Sequence, residues 1–171
     1  MAGAFLLGEP MQPKEIRAEI IKPTLQSAQL WSQSAEILVY GTGYVESKYI
    51  YEEQIGQPIN GGIGYWQDEP SDYEDLCNWL NYYQNELLLD RVLNAAGCDK
   101  LPSDIKALES NIKLALLICR LHYYRVKAAL PDASDAHGMA QYHKTWYNSA
   151  LGAANVDKNA IVFQQIIDGQ L

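Results

Sequence analysis

The residue in this chain best suited to chemistry is Glu46. It closes an apolar helical pattern in which Ala35, Leu38, Val39, Thr42 and Val45 recur at helical spacing. A helix C-terminus carries negative partial charge and disfavours an ionised carboxylate. Tyr44 and Val45 beside it hydrate a charge weakly, which acts in the same direction. A carboxylic acid kept protonated near neutral pH can give its proton to a glycosidic oxygen. The plain alternative is a solvated glutamate at a helix end. Other groups point to less. His122 falls on the apolar face of a long helical pattern, as a packed histidine does. His137 and His143 are six residues apart, not the four that would put two ligands on one helix face. Ser47 and Ser149 lack a nucleophile-elbow context, and the glycine-rich stretch lacks the Lys-Ser/Thr of a phosphate loop. The sequence therefore predicts neither a metal nor a cofactor.

The elements that must position Glu46 can be read from caps and breakers. Ser34 reads as the N-cap of a helix that ends near Glu46-Ser47. Gly41 and Gly43 inside it each cost ~1 kcal/mol relative to alanine, which predicts close approach of another backbone. Residues 48–70 read as a loop or β-ribbon lobe, with Asn60-Gly61 suited to a hairpin turn. Ser71 and Glu74 form a capping-box pattern that opens a helix to about Tyr83. A further helix spans Glu86 to Ala96 and stops at Gly97. The longest pattern, between Ser103 and Ala129, predicts a central helix ended by Pro131. Two more helices are expected over about 135–147 and 157–167. Residues 1–23 read as an extended arm, with a short helix from Pro23. The fold class expected is mainly α, with one helical domain over residues 24–171.

Composition narrows the function. A chain of 171 residues suits one domain, able to bury roughly 70% of its unfolded surface without a staple. The net charge of −8 argues against a nucleic-acid binder. It argues equally against a freely diffusing enzyme that attacks an anionic polymer, unless something else delivers it there. No stretch approaches the ~20 apolar residues of a membrane span. The run Ala4-Phe5-Leu6-Leu7 is too short for a signal-peptide core, so neither export nor membrane insertion is expected. The 3 cysteines form no CxxC pair. Cys77 and Cys119 read as core residues of a protein matured in a reducing compartment.

The surroundings of Glu46 carry a resemblance. Glu46-Ser47 ends a helix, Gly61-Gly62-Ile63-Gly64 follows, then Tyr65-Trp66-Gln67, then Pro70 and a new helix. This order resembles the lysozyme-like superfamily, in particular lytic transglycosylases and goose-type lysozymes. A wider set of motifs is similar to small phage lysozyme-like proteins: Gly41-Thr42-Gly43-Tyr44-Val45-Glu46-Ser47, Gln67-Asp68-Glu69-Pro70, Leu121-His122-Tyr123-Tyr124-Arg125 and Trp146-Tyr147-Asn148. Bulky Tyr65 and Trp66 depart from the small residues usual between that glycine and glutamine.

The resemblance implies a lysozyme-like helical domain that cuts peptidoglycan glycan strands. Glu46 would be the general acid and then the base. Gln67 would bond a sugar N-acetyl group or orient Glu46. Tyr65, Trp66 and Tyr147 would offer faces to sugar rings, and Glu69 matches a position of the phage-like pattern. One obvious acid favours the anhydro-forming route over a two-carboxylate hydrolysis. The implied setting is a phage virion, tail or internal, with residues 1–23 available to other virion proteins. The alternative is a non-catalytic structural virion protein that keeps the scaffold. An open groove lined by Tyr65 and Trp66 beside Glu46 would favour the enzyme, and a plugged one the scaffold.

Overall fold

The structure, a computed structural model, describes residues 11–50, 61–82, 85–148 and 154–171. It is mainly α. The first helical stretch runs from Pro13–Glu15 (α1) through a π-helical segment, Ile16–Ile21, into Lys22–Ser27 (α2). Pro23 has no N–H to donate and its ring crowds the preceding turn. A widened turn before it relieves both, and Lys22 N–H reaches back to Arg17 O. Ile16, Ile21 and Leu25 are buried from this stretch. Residues 13–22 are thus a packed helix rather than part of an extended arm. Residues 1–10 of that expected arm lie outside the described residues.

Ser32, not Ser34, caps the helix Gln33–Ser47 (α3), accepting from Ala35 N–H at 3.0 Å. Ala35 to Gly43 are buried without a break, so α3 runs through the core. Its two glycines answer to aromatic side chains, not to a backbone. A Cβ on Gly41 would fall 2.1 Å from Phe163 Cε1, and one on Gly43 would fall 2.5 Å from the Tyr49 hydroxyl. Lys48 and Tyr49 then both take positive φ, 54° and 58°. That double left-handed step folds Tyr49 back onto Tyr40, with ring centroids 5.4 Å apart and its hydroxyl donating to Tyr40 O at 2.8 Å.

The helix Pro70–Tyr82 (α4) starts on its proline, so Ser71 falls inside the first turn instead of capping it. Glu86–Ala96 (α5) and its left-handed stop at Gly97 match the sequence reading. The single long helix does not form. It divides into Ala107–Ser110 (α6) and Ile112–Tyr124 (α7) at Asn111. Asn111 leaves helical geometry to cap α7, accepting from Leu114 N–H at 2.9 Å while its amide donates to Ala96 O at 3.1 Å. Leu114 to Tyr123 are all buried, so α7 still serves as a central helix. Ala136–Trp146 (α8), capped by Asp135, packs against Val156–Ile167 (α9), capped by Asn155.

Among the described residues of the 48–70 lobe there is no strand, only the antiparallel bridge Ile63–Asp68. Asn60, expected at the hairpin turn, lies outside the described residues. The reversal that is described is a tight one over residues 64–67, with Gly64 at φ 70° and Gln67 at φ 54°.

Two polar locks fasten the frame. Arg17 meets the nearly buried Glu36 at 2.9 Å, and Trp31 Nε1–H donates to the other Glu36 oxygen at 2.8 Å. Thr42 on α3 and Tyr123 on α7 share a buried hydroxyl contact of 2.7 Å.

Candidate functional site

Glu46 stands in the last turn of α3, its side chain 18% exposed. From α8, His143 brings Nε2 to 3.0 Å from Glu46 Oε1. The imidazole is fully buried and its Nδ1 has no hydrogen-bond partner. A buried, unpaired N–H is costly, and a buried charge more so. With Nδ1 unpartnered, the hydrogen bond the ring can make is the one that Nε2–H donates to Glu46 Oε1. That leaves Oε2 of the carboxyl for a proton or a ligand.

Beside this pair, the reversal after Gly64 delivers Asp68. Asp68 is 3% exposed, and its Oδ1 lies 3.3 Å from His122 Nε2 of α7 and 3.2 Å from the Tyr147 hydroxyl. Tyr147 also donates to Trp66 O at 2.7 Å. Burial first, and the Asp68 carboxylate next, push the Tyr147 phenol well above its ordinary pKa, so it stays a donor. Its ring stacks on His143 and on Tyr123, with centroids 5.8 and 5.4 Å away. Tyr147 therefore ties α7, α8 and the 63–68 turn together at the site.

Glu46, Asp68, His122 and Tyr147 line one cleft of about 490 Å³. Asp68 and His122 are buried in its lining, while Glu69, Asp72, Thr145 and Trp146 are exposed at its edge. Arg125 lines it too, held by Asp75 across the end of α7. Among the described residues no group of three or more His, Cys, Asp or Glu could hold a metal ion. No described helix is long and apolar enough to cross a membrane. The Cys119 thiol is raised well above its ordinary range, chiefly by burial, and is inert packing.

The structure brings Glu46, Gln67, Glu69 and Tyr147 to the cleft and leaves Tyr65 and Trp66 out of it. Trp66 is 0% exposed, and its indole N–H donates to Val39 O at 2.9 Å. It is a core residue that pins the glycine-rich turn to α3, not a platform for a sugar. Tyr65 lines a separate depression with Gly64 and Leu108. Tyr147 presents packed rather than free faces. Gln67 spends one amide hydrogen on Gly64 O at 2.8 Å, which shapes its own turn, and not on Glu46. The groove beside Glu46 is neither lined nor plugged by Tyr65 and Trp66.

Sequence reasoning quoted Asp68, His122, Arg125 and Trp146 only as members of motifs and paired His143 with no group; the structure brings the first four to the cleft lining and His143 to Glu46. His143 carried one signal: Ala136, Met139, Ala140 and His143 share the buried face of α8. Its partner could be named only once α3 and α8 were seen to meet. Comparison with protein-family models, curated proteins and solved structures finds no match for this chain.

Proposed function

We propose that the cleft cuts glycan strands of peptidoglycan, with Glu46 as acid and then base. What carries the reading is convergence. Glu46, the neighbours Gln67 and Glu69, and Tyr147 come from three separate stretches of the chain, were named from the resemblance, and border one concave site. Histidine-held Oε1 leaves Glu46 Oε2 to protonate the glycosidic oxygen. The C1–O bond then breaks, and the sugar ring takes up the positive charge as an oxocarbenium ion. The 6-hydroxyl of the same sugar attacks C1 and returns its proton to Glu46, which closes a 1,6-anhydro ring. Water attacking in its place would give hydrolysis. The acidic chain, net charge −8, suits delivery on a phage particle rather than capture by long-range attraction to an anionic wall. Neither mechanism calls for a cofactor.

One observation favours the rival, a virion scaffold without activity: both aromatic residues expected to hold sugar rings beside Glu46, Tyr65 and Trp66, are directed elsewhere. Turbidity loss of purified, permeabilised cell walls decides between the two. The wild type should clear the walls, and Glu46→Gln should be slower by ~10²–10⁴-fold. Mass spectrometry of the released ends then reads anhydro against reducing termini. Walls left intact by the wild type over a range of pH and salt would leave the scaffold reading.

A further inference from the structure

The cleft contains one large aromatic surface that no part of the reading above uses. Trp146, the last residue of α8, lines it and is 47% exposed. Most exposed tryptophans on a convex surface carry no meaning, but this one lies on the wall of a concavity. Tyr142 supports it, with ring centroids 6.3 Å apart, and Tyr142 is itself fixed by its hydroxyl donating to Ala128 O at 2.8 Å. Trp146 also follows His143 by three residues, one turn along the same helix face. A single turn of α8 thus holds both the donor to Glu46 and the indole.

The polar lining says what would rest on that indole. Glu69 and Asp72 present exposed carboxylates on this lining. The lining also carries the carboxyl groups of Glu46, Asp68, Glu69 and Asp72 against the one guanidinium of Arg125. Such a lining asks for hydrogen donors and repels anions. A flat, weakly polar ring face with donors around its edge fits both demands.

We propose that Trp146 is the ring-stacking platform of a subsite for the uncharged N-acetylhexosamine backbone of a glycan. The exposed carboxylates of Glu69 and Asp72 accept from its hydroxyl or acetamido N–H groups. The inference rests on the glycan reading of this cleft and deepens it. It assigns to Trp146 the role that the sequence had given to Trp66. It also predicts that strands stripped of their acidic stem peptides bind better than decorated ones.

The test uses the full chain carrying Glu46→Gln, so that nothing is cut, and titrates it calorimetrically with an N-acetylglucosamine hexamer. The hexamer should bind, and adding Trp146→Ala should weaken binding by ~10–30-fold, the loss typical of a buried tryptophan anchor. Adding Trp146→Phe should keep affinity within ~3-fold, because a ring face remains. Equal binding with and without Trp146→Ala would overturn the platform and leave the Glu46 chemistry to the turbidity assay. Tighter binding of a phosphate-bearing wall polymer than of the hexamer would overturn the uncharged-ligand assignment. No hexamer binding at all would overturn the subsite. If the wild type still clears walls in that case, only this inference falls; if it does not, the glycan reading falls with it.

Discussion

Replacing His143 by phenylalanine isolates what the histidine gives to Glu46. Phenylalanine keeps an aromatic ring to stack on Tyr147, which now lies 5.8 Å away at 23°. It removes the single donor held 3.0 Å from Glu46 Oε1. A hydrogen bond to a charged group contributes ~1.5–3 kcal/mol. At 1.36 kcal/mol per factor of ten, losing it from the transition state lowers kcat by ~10- to 150-fold. An ordinary bond of ~0.5–1.5 kcal/mol lost from the resting protein, before charge develops on Glu46, lowers Tm by roughly 1–6 °C for a chain of this size. His143→Gln, which can offer an amide N–H near the same place, should recover most of both effects.

The assay is initial-rate clearing of cell walls beside a thermal melt of each variant. Phenylalanine at wild-type rate and unchanged Tm would refute the claim that His143 holds the acid. Low activity in both variants with Tm restored in the glutamine one would also refute it in its present form. The imidazole would then be passing a proton rather than positioning Glu46.

Three further outcomes follow from the geometry. Gly41→Ala places a methyl 2.1 Å from Phe163 Cε1, so it should destabilise by ~1–3 kcal/mol through overpacking of α9 on α3, read by urea denaturation. Trp66→Phe removes the indole bond to Val39 O, which keeps its bond within α3, and leaves a gap where a fully buried side chain sat; it should cost ~1–3 kcal/mol of stability yet leave hexamer affinity unchanged, the reverse of Trp146→Ala. Arg17→Ala leaves the nearly buried Glu36 with only Trp31 as a partner; chemical denaturation should show a loss near 3 kcal/mol, since the arginine itself is partly exposed.

The sequence made the helical class legible, and with it the bounds of α5 and α9, because those helices have clean apolar spacing and strong end signals. Gly97 adopts the left-handed stop its type suggests. The errors have common physical causes. Asn111 and Pro70 each lie within or beside a periodic run, and periodicity cannot report that a side chain has turned to cap a helix or that proline has taken its first position. The stretch Ile16–Ile21 hides its helix because two prolines bracket it. Only the widened turn before Pro23, which no local rule demands, lets it continue. The aromatic residues show the sharpest limit. Trp66 and Trp146 are the same residue type, each beside a tyrosine and each near a suspected motif. Their contrast, 0% against 47% exposed, is set by the turn at Gly64 and by the end of α8.

The site follows from the way three helices end. α3 stops at Ser47 because the chain must turn left-handed twice to seat Tyr49 on Tyr40, and this leaves Glu46 on the last turn, at the edge of the core. α7 is buried until Tyr123, so His122 arrives beside Asp68 with no freedom to move away. α8 ends at Trp146, and Tyr147 immediately bonds back to the 63–68 turn. Glu46, His122 and Tyr147 are therefore each held by packing close by in the chain. Such pre-organisation is what a general acid needs, since its proton must already face the leaving oxygen when the bond breaks.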